Sequence, residues 1–96
     1  MAIAVLYELP GMAQEQYNKI IELLQRGGIT AEGRTYHLAG PTEAGWRVLD
    51  VFESQSAFDA FVQNKLGPMM QEAQVSPPQI QIWPAYNVLT GTNHHL

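Results

Sequence analysis

The chain has 96 residues, enough for one domain and too few for two. Hydrophobic residues make up 46% and charged residues only 15%, against about 25% charged in an ordinary soluble domain, so part of the surface is expected to be covered by a subunit or a ligand. A net charge of -4, with only Lys19, Arg26, Arg34, Arg47 and Lys65 as scattered cations, argues against nucleic acid and anionic membranes, and the absence of cysteine excludes disulfides and thiolate chemistry.

Residues 2–8 (AIAVLYE) are apolar on both parities, with Ile3, Val5 and Tyr7 on one side and Ala2, Ala4 and Leu6 on the other. That pattern predicts a strand covered on both faces. The run is too short for a membrane span or a signal segment, and Pro10-Gly11 ends it. Residues 13–26 predict a helix, because Tyr17, Ile20, Ile21 and Leu24 form one apolar stripe at helical spacing. Gly27-Gly28 is the expected stop.

Residues 34–39 and 45–53 predict two strands joined by a hairpin turn at Gly40-Pro41-Thr42-Glu43. A second helix is expected over 54–66, capped by Ser54 or by Ser56, which has Asp59 at capping-box spacing, with Ser54 the more natural boundary and Phe58, Phe61, Val62 and Leu66 as its apolar stripe. Gly67-Pro68 should break or kink it before a short last turn, to about residue 74, that carries Met69 and Met70. Residues 79–89 alternate as a strand, and Pro84 marks it as an edge or a bulge. Residues 90–96 read as a loose tail beyond the 2–89 core of a single domain spanning 1–96.

The order βαββαβ predicts an α+β, ferredoxin-like domain: a four-stranded antiparallel sheet with two helices on one face. The other face would stay open. Yet Ala4, Leu6, Leu49 and Val51 supply apolar side chains there. A second copy packed on that face removes them from water, at roughly 25 cal/mol per Å² buried. A homodimer is therefore expected.

The stretch AGPTEAGWRVLDVFESQSAFDAFVQNKLGP resembles the dimeric α/β-barrel superfamily, and within it the antibiotic-biosynthesis-monooxygenase-like proteins. The opening MAIAVLYELPGMAQEQY and the ending PPQIQIWPAYNVL are similar to the same group, so the resemblance spans residues 2–89. It implies a dimer whose two sheets form a barrel, with a pocket between sheet and helices in each subunit. It does not imply one activity, since cofactor-free oxygenases, haem-degrading enzymes and lactone isomerases share the scaffold. The haem-degrading relatives use an Asn on the first strand, a Trp on the third and a His on the second helix. Trp46 matches the Trp, but the first strand has no Asn and the second helix no His, so haem degradation is not expected.

Two titratable residues stand out. His37 lies mid-strand, and histidine can take a proton from an acidic phenol or enol, the first step of a cofactor-free oxygenase. It is either that base or a strand histidine bonded to a neighbour. Asp50 shares a parity with Trp46, Val48 and Phe52, so it must be paired or hydrogen-bonded. It either acts as a catalytic carboxylate, orients His37 across the hairpin, or serves only structure. Trp46, Tyr86, Phe58, Met69 and Met70 are the candidate lining for a small hydrophobic or aromatic ligand, in a pocket of a few hundred Å³. Arg47 either holds an anionic substrate or makes a salt bridge at the dimer interface. His94 and His95 lack a third ligand at metal spacing, and no serine-nucleophile or phosphate-loop motif occurs, so neither metal nor cofactor is expected. The sequence leaves two functions open: a cytoplasmic cofactor-independent monooxygenase-like enzyme, or a non-catalytic small-molecule-binding or stress-related homodimer.

Overall fold

The computed structural model describes residues 1–26, 32–72 and 76–89. Its elements run β1 (Ile3–Pro10), α1 (Gln14–Arg26), β2 (Arg34–Thr42), β3 (Gly45–Phe52), α2 (Gln55–Phe61), a π-helical turn (Val62–Leu66), α3 (Gly67–Glu72) and β4 (Gln79–Pro84). The four strands form one antiparallel sheet in the order β2-β3-β1-β4. This is the ferredoxin-like βαββαβ arrangement expected from the element order.

The parity of β1 decides the core. Ile3, Val5, Tyr7 and Leu9 are all buried, and they meet Ile20 of α1, Phe58 and Phe61 of α2, and Met70 of α3. From β3, Val48 and Phe52 join them. Phe52 is fully buried and packs edge-on against Phe58, with ring centroids 5.4 Å apart. On the opposite face, Tyr36, Leu38 and Trp83 lie exposed beside Leu6 and Leu49. The apolar second face read from the sequence is present.

The hairpin turn falls later than expected. Gly40, Pro41 and Thr42 remain in β2, opposite Arg47, Trp46 and Gly45, and the turn is Glu43-Ala44. Pro41 sits in the strand because β2 is an edge, where a missing amide hydrogen costs no ladder bond. Gly45 closes the turn against β1: a Cβ there would stand 2.2 Å from the Leu9 carbonyl oxygen. Only glycine lets the two backbones approach this closely.

The second helix is three pieces. Ser54 caps α2, its side chain accepting the Ala57 amide at 3.1 Å, so the alternative cap at Ser56 is not used. Pro68 has no amide to give Asn64, and its ring would press on that carbonyl in a regular helix. The preceding turn widens instead, and the Gly67 amide bonds to Val62 oxygen, five residues back. The proline therefore widens the helix without ending it, and α3 runs on to Glu72. The last strand ends at Pro84, not at residue 89, and the edge position inferred from that proline holds. The expected stop at Gly27-Gly28, the end of the last turn near residue 74, and the tail with His94 and His95 lie outside the described residues.

Candidate functional site

Asp50 is the seed of the site. It projects from β3 to the helix side and is 2% exposed, the one charged residue among the buried described residues. A carboxylate so placed needs donors on every side. Three reach it. His37 Nδ1 lies 2.6 Å from Oδ1, Tyr7 donates its hydroxyl to Oδ2 at 3.0 Å, and an Arg34 guanidinium nitrogen stands 3.7 Å from Oδ2. His37 is directly opposite Asp50 in the β2–β3 ladder, so the cross-hairpin contact considered from the sequence is made.

Arg34 and His37 are three residues apart, an odd spacing that would put them on opposite faces of a regular strand. A bulge between Arg34 and Tyr36 resolves this: Arg34 pairs with Phe52, Tyr36 with Val51 and His37 with Asp50. Thr35 is the extra residue, its hydroxyl donating to the Val51 carbonyl at 3.4 Å. The bulge thus turns both Arg34 and His37 toward the carboxylate while Tyr36 faces the open side. The Arg34 guanidinium also lies over the Phe61 ring, 5.7 Å from its centroid.

The second ring nitrogen of His37 is engaged as well. Tyr17, on α1, brings its hydroxyl to 2.8 Å from Nε2. The Tyr17 ring stacks against the Trp46 indole at 5.1 Å, while the His37 imidazole lies beyond its hydroxyl with the two ring planes nearly parallel and their centroids 6.3 Å apart. Trp46 Nε1 is buried and meets no acceptor among the described residues. Burial raises the pKa of the Tyr17 phenol, and the Asp50 charge adds to that while Arg34 opposes it. For Tyr7, burial first and Asp50 second raise the phenol well above its ordinary value. Both phenols therefore stay protonated as donors.

These polar groups help line a cavity of about 50 Å³, otherwise walled by apolar side chains including Met12, Ile20, Leu66 and Met70. Its position between sheet and helices is the one expected. Its volume is not: a pocket of a few hundred Å³ was expected, and about 50 Å³ holds only a water or two. Met12 and Met70, both buried, fill the space a larger pocket would need.

Of the residues singled out from the sequence, His37, Asp50 and Met70 line this cavity. Trp46 does not line it but backs Tyr17, which does. Phe58 is buried core against Phe52 and Tyr7, and Met69 packs against the core from α3. Tyr86 lies apart from this cavity: it is 95% exposed and sits in a groove on the open side of the sheet with Tyr36 and Trp83, beyond the end of β4. Arg47 is paired within its own chain, donating through Nε and, at 2.9 Å, Nη2 to Glu8, which lowers the Glu8 pKa and raises that of Arg47. Tyr7, Tyr17 and Arg34 were not singled out. Tyr7 and Tyr17 read as ordinary members of apolar stripes, and the bulge that aims Arg34 has no mark in the pattern.

No protein-family model and no curated protein matches the chain. Solved structures do. SnoaB of Streptomyces nogalater, a cofactor-independent oxygenase, superposes with a TM-score of 0.63 at 14% identity, covering 94% of this chain and 97% of that one. The ActVA-Orf6 monooxygenase of Streptomyces coelicolor, solved with nanaomycin D, superposes at 0.57 with 17% identity, covering 95% of this chain and 92% of that one. A dimeric ferredoxin-like protein of unknown function from Jannaschia sp. CCS1 superposes at 0.54 with 18% identity over 86% of this chain and 96% of its own. Identities this low speak for the fold alone, and on that they agree: the chain shares their fold, the ferredoxin-like βαββαβ arrangement.

Proposed function

We propose that this chain is a homodimeric, cofactor-independent monooxygenase-like enzyme that removes a proton from a small aromatic or polyketide-like molecule. The observation that carries the reading is the line Asp50–His37–Tyr17 in the lining of an otherwise apolar cavity. Asp50 orients the imidazole, and the imidazole is the proton acceptor. An anion of an anthrone or quinol passes one electron to O₂, the substrate radical and superoxide couple to a peroxide anion, and the proton held by the imidazole returns to give the hydroperoxide. For an anthrone, loss of water then leaves a new carbonyl. The solved neighbours that are oxygenases support the reaction class.

The cavity must open for such a substrate. The wall that can yield carries Met70 and Leu66, on either side of the widened turn at Gly67-Pro68, where backbone bonding is already irregular. The open sheet face, with Tyr36, Leu38 and Trp83 exposed, supports face-to-face pairing of two copies, as does the dimeric neighbour. No described helix is long and apolar enough to cross a membrane. With the absence of cysteine and the acidic charge, this supports a cytoplasmic protein without nucleic-acid partners.

The second reading is a non-catalytic small-molecule-binding homodimer, and the small volume of the cavity favours it. Oxygen uptake with a panel of anthrones, quinols and haem, beside His37→Ala, separates the two. Uptake with an anthrone or quinol that His37→Ala abolishes is the expected result. Tight binding without uptake, unchanged in His37→Ala, would establish the second reading instead.

A further inference from the structure

His37 has no atom left for a substrate. A carboxylate only accepts, so the proton of the Asp50–His37 bond sits on Nδ1, and in the neutral imidazole Nε2 carries the lone pair. That lone pair faces the Tyr17 hydroxyl at 2.8 Å. Every proton in the network then points one way: Tyr7 and His37 Nδ1 donate to Asp50, and Tyr17 donates to His37 Nε2. Tyr17 itself is pinned, its ring stacked on the Trp46 indole, its hydroxyl bonded to the imidazole and its backbone carried by α1. It lines the cavity, and a phenol oxygen that has donated its hydrogen still accepts through its lone pairs.

We propose that Tyr17 is the catalytic residue that meets the substrate, and that His37 and Asp50 act behind it as a relay; this rests on the proton-transfer reading above. The substrate's acidic O–H or C–H bond breaks, and its proton goes to the Tyr17 hydroxyl oxygen. In the same step the hydrogen already on that oxygen passes to His37 Nε2. The electron pair stays on the substrate, which becomes an anion, and the imidazolium is balanced by Asp50. Nothing in the network moves by more than a bond length. Tyr17, with Tyr7, His37, Asp50 and Arg34, is polar in an otherwise apolar cavity lining, so the substrate class is an enol, a phenol or their carbon-acid tautomer, presenting one hydroxyl from an otherwise apolar body.

Two measurements on the full chain test this. Nitrogen NMR of histidine-labelled protein should show His37 protonated at Nδ1 and bare at Nε2, with Tyr17→Phe shifting the Nε2 signal and leaving Nδ1 in place. A proton on Nε2 in the unaltered chain overturns the relay whatever the substrate. Anthrone oxidation supplies the second readout. Tyr17→Phe should lower kcat by about 100-fold with KM nearly unchanged. It should also turn a curved dependence of rate on deuterium fraction, the mark of two protons in flight, into a straight line. Unchanged kcat in Tyr17→Phe with loss in His37→Ala means that His37 takes the proton directly: the relay falls and the proposed function stands. Unchanged kcat in both variants removes the proposed function and the relay with it. If anthrone is inert, the nitrogen spectra decide alone.

Discussion

His37 and Asp50 face each other across the β2–β3 ladder with Nδ1 and Oδ1 2.6 Å apart, at a depth where Asp50 is 2% exposed. The pair is as much a folding element as a chemical one. Removing the carboxylate strands donors from two tyrosine-bearing and histidine-bearing elements at once. Asp50→Ala is expected to destabilise the domain by about 3–5 kcal/mol, the usual cost of breaking a buried ionic cluster. Asp50→Asn keeps the volume, but its amide can offer N–H to His37 and reverse the tautomer. Denaturant unfolding of both variants, with nitrogen NMR of Asp50→Asn, checks this. A loss below about 1 kcal/mol in Asp50→Ala would show that the cluster does not hold β1 and β2 to β3.

The Tyr7 phenol gives a pH signature. Burial, then the Asp50 charge and hydrogen bond, raise its pKa above the ordinary value of 10.0. The neutral phenol is the form the fold retains. Its contribution is full below pH 10 and is lost as pH rises from there toward the folded value. Thermal melting should therefore decline above about pH 10 in the unaltered chain and decline less in Tyr7→Phe. At neutral pH the same variant should be less stable, because Asp50 loses a donor. Parallel alkaline curves for the two proteins would refute the assignment.

The sequence carried the fold further than the site. Odd residues of β1 and the stripes of both helices are long-range patterns that burial alone explains, so the layers were legible. Asp50 stood out because a charge on an apolar parity demands partners. The partners did not. Tyr7 and Tyr17 are amphipathic: each packs its ring like a core residue and spends its hydroxyl on the network. Arg34 reaches Asp50 only because Thr35 bulges, and a one-residue shift leaves no trace in an alternation pattern. Pro41 inside a strand was misplaced, and the break or kink expected at Pro68 takes the form of a widened turn, for one reason. Local propensity reads proline as a stop, whereas edge position and a wider helical turn accommodate it.

Gly45 tests the close approach of β3 to β1. A Cβ at this position would lie 2.2 Å from Leu9 oxygen and 2.6 Å from the Gly11 amide, both backbone atoms that cannot swing aside. Gly45→Ala should cost more than about 1 kcal/mol, well beyond the usual glycine-to-alanine gain from a stiffer unfolded chain. Urea unfolding measures it. Because Gly45 precedes Trp46, the displaced strand should also alter the stacking of Trp46 on Tyr17, visible in the near-ultraviolet circular dichroism. A variant as stable as the parent would mean the two strands can separate at this end without cost.

Leu38 tests the second face. It lies on β2, an edge strand, and is 55% exposed on the side without helices. In an isolated chain, Leu38→Glu replaces one wetted side chain by another and should change stability by no more than about 0.5 kcal/mol. If two copies pack through this face, the same substitution puts a carboxylate into an apolar interface, where a charge without a partner costs several kcal/mol. The expected outcome is a variant that keeps its circular dichroism yet sediments as a 10.7 kDa species at micromolar concentration, while the unaltered chain sediments at twice that mass. Sedimentation of the unaltered chain at 10.7 kDa would leave Tyr36, Leu38 and Trp83 in water and rule out the homodimer. The cavity lies on the other side of the sheet, between β1, β3 and the helices, so the monomeric variant should retain the His37–Asp50 bond and its nitrogen signals. Loss of those signals together with the dimer would instead make the partner part of the site.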